Sequence, residues 1–371
     1  MGFRIISRLM DTKNHIESVL QKLKEQGKKV VIYGAGYCGH ETIGLLRAHA
    51  ISVVAAYDDC ARGGDIDGIK IDSLANLHPD ADTAILLTSG FNSKMKDRLA
   101  GLGLLPYYVP ADFGRYDAEK ENYAYFEAHA EELQSAYDLL EDEKSKEIFL
   151  RLANYRISRQ PDALIDLEES GQYFPHEQDL DLSAYSDCFM DLGAYDGDSL
   201  RGFVDYVAGK YGSIVAVEAS RKNYESLLRQ TQDVPRLEYH CVGVWKEKGE
   251  LRFTVSDAKN SFAAEDGSSV LSVDSVDNIM AGRAVSFIKM DVEGAEYDAI
   301  QGAEETIRSF LPAMAISVYH KVEDLFRLQL LVESIAPGKY KYYLRHYSPT
   351  VIETVLYAVP RKGGKEVSQE G

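Results

Sequence analysis

Four cysteines in 371 residues, Cys38, Cys60, Cys188 and Cys241, are too few and too far apart to staple a fold, and none forms a C-x-x-C pair. A disulfide framework and a zinc-ribbon type of site are thereby excluded, and a reducing cytoplasm is the default. Basic residues are also short, 41 against 59 acidic ones, for a formal net charge of -18. Long-range repulsion then opposes a nucleic-acid backbone or an anionic membrane surface as partner and favours small or neutral substrates. No apolar run approaches the ~20 residues of a bilayer crossing, and the start of the chain mixes charge with Ile, Leu and Met instead of forming a secretory core. A soluble, cytoplasmic protein is expected. The 45% hydrophobic content that is present suffices for two or three packed domains.

Ile16, Val19, Leu20 and Leu23 recur at helical steps, which predicts an amphipathic helix within residues 1–28. K-K-V-V-I-Y then reads as a buried strand opening onto Gly34-Ala35-Gly36-Tyr37-Cys38-Gly39, a complete G-x-G-x-x-G. I-S-V-V-A-A-Y ends at Asp58, where a ribose-binding acid belongs in a dinucleotide fold, although a turn role for Asp58 is an equal reading. Two further strands, T-A-I-L-L-T and P-Y-Y-V-P, complete a Rossmann-like unit over 29–113. Three uses are open to it: a nucleotide or nucleotide-sugar site at Gly34, Gly36, Gly39 and Asp58, an NAD site, or a non-catalytic docking or dimerisation module. No acid–base pair follows Asp58, which counts against NAD chemistry. From Tyr116 to Arg159 Gly and Pro are absent and helical spacing prevails, so 114–185 is expected to be a helical connector with Tyr123, Phe126 and Tyr137 as core residues.

Beyond Ser186 strands and helices alternate again. C-F-M-D-L leads into Gly193-Ala194-Tyr195-Asp196-Gly197, a turn with an acid before its first glycine and only two glycines. S-adenosylmethionine suits such a turn, because it carries an ammonium and a sulfonium but no phosphate. Asp191 is expected to accept from the ammonium, Gly193 and Gly197 to let the backbone approach, and Glu218, ending the next strand, to accept from both ribose hydroxyls. Tyr195 and Ala219 complete the expected cofactor contacts. S-F-I-K-M ends at Asp291 as a central strand and A-M-A-I-S-V-Y ends at His320. K-Y-Y-L-R and V-L-Y-A-V predict a closing antiparallel hairpin. The fold class expected is α/β: two doubly wound Rossmann-like sheets joined by the connector, with a polar loop at Ser256–Ser269 and a flexible tail over 361–371.

The runs Asp191-Leu-Gly-Ala-Tyr-Asp-Gly, Ile288-Lys-Met-Asp-Val-Glu-Gly-Ala-Glu296, Ser317-Val-Tyr-His-Lys321, Arg345-His and Glu353-Thr-Val-Leu-Tyr together resemble the FkbM family of S-adenosylmethionine-dependent methyltransferases. The resemblance covers 186–360, and it implies O-methylation, commonly of a sugar hydroxyl in glycan or secondary-metabolite assembly. A small-molecule or glycan acceptor and a homodimer fit that picture. The other class of function is a nucleotide-sugar- or NAD-binding docking or regulatory protein without catalysis. For methyl transfer, His320 is the expected general base, since its intrinsic pKa is nearest neutrality, and Asp291 lies across from the cofactor loop. No metal is required, although Asp291, Glu293, Glu296 and His320 offer ligands for a divalent ion. Lys289 is assigned no role.

Overall fold

A computed structural model describes residues 5–60, 63–78, 82–88, 92–101, 103, 107–108, 116–160, 163–177, 180–254, 262–263, 269–348 and 350–361. The expected boundary at residue 113, most of the expected loop at 256–269 and the tail from 362 lie outside these residues. The chain forms two compact units. The first takes Met1–Ala130, Leu150–Glu168 and Ser348–Val351, and the second takes Glu131–Phe149, Glu169–Tyr347 and Ile352–Gly371. Residues expected as a connector are therefore shared between the units, with helices at Tyr123–Ala128, Ala130–Leu139 and Glu143–Ser158. Among the described residues, no helix is long and apolar enough to cross a membrane.

In the first unit the helix His15–Gln26 starts where the Asn14 side chain accepts from the Ile16 N–H and stops at Gly27, which turns left-handed. It buries Ile16, Val19, Leu20 and Leu23, the predicted stripe. The strands are β1 (Lys29–Tyr33), β2 (Val53–Tyr57), β3 (Asp65–Ile66), β4 (Ile69–Asp72), β5 (Thr83–Leu87) and β6 (Tyr107–Tyr108). Their order in the sheet is β3-β4-β2-β1-β5-β6, and all pairs are parallel except β3 with β4. The expectation of four strands falls two short: Asp67 and Gly68 both have positive φ, so I-D-G-I folds as a two-residue hairpin turn. β1 lies between β2 and β5, so the chain crosses to opposite sides of it, and the crevice at its carboxyl end holds Gly34–Gly39.

The second unit opens with a short pair, β7 (His176–Glu177) and β8 (Leu180–Asp181). Its main strands are β9 (Cys188–Leu192), β10 (Ser213–Val217) and β11 (Leu237–His240), while β12 (Gly243–Val244), β13 (Gly249–Thr254), β14 (Phe262–Ala263) and β15 (Ser269–Asp274) form a separate small sheet. β16 (Phe287–Met290), β17 (Ala313–Ser317), β18 (Tyr340–His346) and β19 (Thr354–Pro360) complete the main sheet, ordered β11-β10-β9-β16-β17-β19-β18. β19 runs antiparallel to both its neighbours, which places the expected closing hairpin with its second strand inside the first. The run Leu237–Val244 divides between two sheets. Beyond β16 the helices Glu296–Gln301 and Glu304–Phe310 are separated at Gly302, where a Cβ would stand 2.2 Å from the Trp245 carbonyl oxygen, and that close backbone approach replaces helix continuity. Phe174, Phe189, Phe203 and Phe287 pack under the sheet, with the rings of Phe189 and Phe203 stacked at 4.1 Å.

Candidate active site

β9 has β10 on one side and β16 on the other, so this second sheet also reverses its strand order at one point, and Asp191–Gly197 occupies it. The parallel register sets Lys289 of β16 directly beside Asp191 of β9. Both side chains are buried, the Lys289 Nζ lies 3.1 Å from Asp191 Oδ1, and it also donates to the Gly193 carbonyl at 2.7 Å. The other Asp191 oxygen accepts from the Ser199 hydroxyl at 2.6 Å. Burial works against the ammonium, but Asp191 and then Asp291 outweigh it, and the Lys289 pKa is raised. Asp191, the expected acceptor for a cofactor ammonium, thus already has a buried cationic partner, and it braces the loop from below.

Both glycines of the turn answer to packing. A Cβ on Gly193 would lie 1.9 Å from the Asp291 carbonyl oxygen, and one on Gly197, which has φ 96, would meet Thr231 Cγ2 at 2.5 Å. The turn is thus in close contact with the end of β16 and with the helix Arg221–Gln230, and packing alone already requires both glycines. Tyr195, left-handed and exposed, donates its N–H to Glu218 Oε2 at 2.9 Å, and the Ser220 N–H donates to Oε1 at 2.7 Å. Burial raises the Glu218 pKa, against these two bonds. Ala219 is partly buried between Glu218 and Ser220.

Past β16 the chain turns sharply, with Glu293 and Gly294 both at positive φ. For Glu293 this is a strained conformation held by the turn. Asp291 accepts from the Tyr173 hydroxyl at 2.9 Å and from the Tyr319 hydroxyl at 3.2 Å. Burial works to raise the Asp291 pKa, but Lys289, His320 and Tyr173 outweigh it and hold the carboxylate below its ordinary range. His320 has Nε2 3.5 Å from both Asp291 Oδ1 and Glu293 Oε2, and Nδ1 3.0 Å from Glu296 Oε1. Burial disfavours its charge, yet Glu296, Glu293 and Asp291 win and raise its pKa well above the ordinary histidine value. Three surrounding carboxylates, unseen from the strand position alone, are what raise it. Asp291, Glu296 and His320 each offer one ligand atom within 4.8 Å of the others.

Sequence reasoning missed Lys289, Tyr173 and Tyr319. For Lys289 a signal existed: a lysine inside the apolar strand F-I-K-M needs a buried acid, and aligning its end with that of C-F-M-D-L supplies Asp191. Tyr173 reaches Asp291 from far along the chain, which periodicity does not show. Arg345, from the quoted Arg345-His run, is buried and bonded to Glu177 and Asp142, and His346 Nδ1 lies 2.9 Å from the Thr354 hydroxyl.

In the first unit, Gly34 and Gly39 are also packing glycines, since a Cβ would come 2.5 Å from Thr88 O and 2.3 Å from Gly34 O respectively, whereas Gly36 faces open space. Asp58 Oδ2 accepts from the Ala35 N–H at 2.9 Å and Oδ1 from the Cys60 N–H at 2.8 Å.

The family profile described as "Methyltransferase FkbM domain" matches residues 191–335. Among solved structures, a methyltransferase FkbM from Methylobacillus flagellatus KT aligns over 92% of this chain and 93% of its own, at 24% identity and a TM-score of 0.73, and so shares the fold. Fibrillarin from Aeropyrum pernix, solved with natively bound S-adenosyl-L-methionine, aligns over 47% of this chain and 66% of its own at 13% identity and a TM-score of 0.32. Precorrin-6y C5,15-methyltransferase from Geobacter metallireducens GS-15 aligns over 53% and 95% at 8% identity and a TM-score of 0.30. Likenesses of that size carry no argument. No curated protein matches the chain. The turn at Asp191 and the Asp291–Glu296 run fall inside the matched residues, so residues 191–335, within the second unit, are similar to a methyltransferase FkbM domain.

Proposed function

We propose that the chain is an S-adenosylmethionine-dependent O-methyltransferase whose acceptor is a hydroxyl of a sugar in a glycan or of another small molecule. One observation carries this reading: the charge around the second turn. Lys289 neutralises Asp191, which leaves Asp196, Asp198 and the buried Glu218 around a turn that is exposed at Tyr195 and Asp198. A pyrophosphate would be repelled there, whereas a ligand bearing an ammonium and a sulfonium is attracted. S-adenosylmethionine, when bound, supplies a methyl group that an acceptor oxygen displaces in line.

The remaining work falls to the protein. Glu218, fixed by the Tyr195 and Ser220 N–H groups, keeps two acceptor positions for ribose hydroxyls. Tyr195 and Ala219 flank it, and Gly193 and Gly197 set the turn. Asp291, held ionised by Lys289 and two tyrosine hydroxyls, is oriented to accept from the acceptor hydroxyl. Its proton leaves into the group formed by Asp291, Glu293 and His320, in which both carboxylates lie 3.5 Å from Nε2. In the first unit a nucleotide or nucleotide sugar is read at Gly34, Gly36, Gly39 and Asp58, favoured by the open space over Gly36.

Melting of the full chain with and without S-adenosylmethionine tests the reading. At a ligand concentration of about 100 Kd the gain is ~2.7 kcal/mol, a rise of several degrees in Tm, and Glu218→Ala should abolish it. An unshifted wild-type protein would instead favour a non-catalytic docking or regulatory role.

A further inference from the structure

The cluster after β16 contains more negative charge than its cations can offset. Asp291, Glu293 and Glu296 face one imidazole, because Lys289, the nearest buried cation, is already paired with Asp191. Even a doubly protonated His320 leaves an excess of two negative charges. Two contacts at Nε2 are 3.5 Å long, beyond ordinary hydrogen-bond length, and one N–H cannot serve two carboxylates well. Independently, Glu296 is fully buried and its Oε2 has no hydrogen-bond partner among the described residues. A buried carboxylate oxygen left in that state is costly.

We propose that Asp291, Glu296 and His320 form a site for one divalent first-row ion, with Mn2+ as its fitting occupant, and that the ion's open positions take the acceptor's hydroxyl oxygen. A donor–ion distance of ~2.1 Å places adjacent donors ~3 Å and opposite donors ~4.2 Å apart, close to the spread of the three ligand atoms, which all lie within 4.8 Å of one another. Two carboxylates with one imidazole select Mn2+ or a similar ion over Ca2+, which prefers oxygen alone. Three protein donors leave coordination positions open, and Glu293, half exposed beside them, borders those positions. The ion's contact with an acceptor rests on the methyltransferase reading, but its binding does not.

The test titrates Mn2+ alone into the full chain after chelator treatment and follows the paramagnetic resonance of free aqueous Mn2+. Saturable loss of that signal, one ion per chain, is expected, together with nitrogen modulation from one imidazole in the spin echo of the bound ion. His320→Gln should remove the modulation and weaken binding by at least ~10-fold, as should Glu296→Gln for affinity. The wild-type echo decides the matter even where a variant fails to fold: no binding, or bound Mn2+ without imidazole nitrogen, overturns the site. Mn2+ binding with no Tm response to S-adenosylmethionine would leave the cation site standing and remove the methyltransferase reading. A Tm response without Mn2+ binding would do the reverse.

Discussion

The two glycine turns of this chain are braced by the same hydrogen bonds. In each, an acid ending the second strand accepts from a backbone N–H of the turn 23 residues earlier, Ala35 to Asp58 and Tyr195 to Glu218, both at 2.9 Å. In each, its other oxygen accepts from the N–H two residues on, Cys60 or Ser220. In each, the neighbouring strand sends a donor to the carbonyl of the turn's first glycine at 2.7 Å, from the Thr88 hydroxyl in one unit and the Lys289 ammonium in the other. The second-strand acid is therefore a structural part of this kind of turn, and on its own it says little about ribose. What separates the two sites is charge: a neutral hydroxyl against a buried ion pair, and only the second turn has an Asp-Glu-His cluster described beside it.

The largest effect should come from breaking that charge difference. Lys289→Met leaves the buried Asp191 carboxylate without its cation, at a cost of ~3–5 kcal/mol, whereas Thr88→Val removes one neutral donor and costs ~1–2 kcal/mol. Urea denaturation of both variants checks the difference, and adding Asp191→Asn to Lys289→Met should recover part of the loss. Equal losses for the two single variants would mean that the ion pair is not what distinguishes the turns.

A smaller effect is expected from pH. Buried Asp324 accepts from the Lys321 N–H at 2.8 Å, and burial, then the Glu296 carboxylate, push its pKa from 3.8 up to about 7. Below ~4 the group is protonated in both folded and unfolded chains. Between ~4 and ~7 the folded state keeps a proton that the unfolded chain has released, so stability falls as pH rises through that window. Asp324→Asn never acquires the charge. In chelator, its urea midpoint should drop less than that of the wild type between pH 5 and pH 8, and an identical drop would place Asp324 outside the charged cluster.

Much of the architecture was legible because burial imposes its period on single strands and helices. The stripe Ile16, Val19, Leu20, Leu23, the strands ending at Asp191, Glu218 and Asp291, and the closing hairpin can all be read that way. Features set by contact between distant segments were not legible: the break at Gly302, dictated by the Trp245 carbonyl, the hydroxyl of Tyr173 on Asp291, and the division of Leu237–Val244 between sheets. At the site, residue types and strand ends pointed to Asp291 and His320, but the raised pKa of His320 comes from three carboxylates, two of which, Glu293 and Glu296, lie on or beyond a left-handed turn. Lys289 sits between these cases, since its partner follows from strand register, one step beyond periodicity.

The smallest effect should sharpen the comparison most cleanly. Gly36 and Gly197 both cap the helix that follows their turn, yet Gly36 has φ -85 and nothing within 4 Å of where a Cβ would stand, while Gly197 has φ 96 and Thr231 Cγ2 at 2.5 Å. Alanine at 197 must strain the backbone and displace the helix Arg221–Gln230, for ~1–3 kcal/mol. Alanine at 36 restricts the unfolded chain favourably and is a poorer cap, two effects that nearly cancel, so its stability should stay within ~0.5 kcal/mol of wild type. Its new methyl would nevertheless stand in the space through which a phosphate would approach the turn. Calorimetric titration of folded Gly36→Ala with NAD and with nucleotide sugars therefore isolates ligand binding from folding. Weakened binding at unchanged stability would make the first turn a nucleotide site, and unchanged binding would leave its glycines with only the packing role that Gly34, Gly39, Gly193 and Gly197 share.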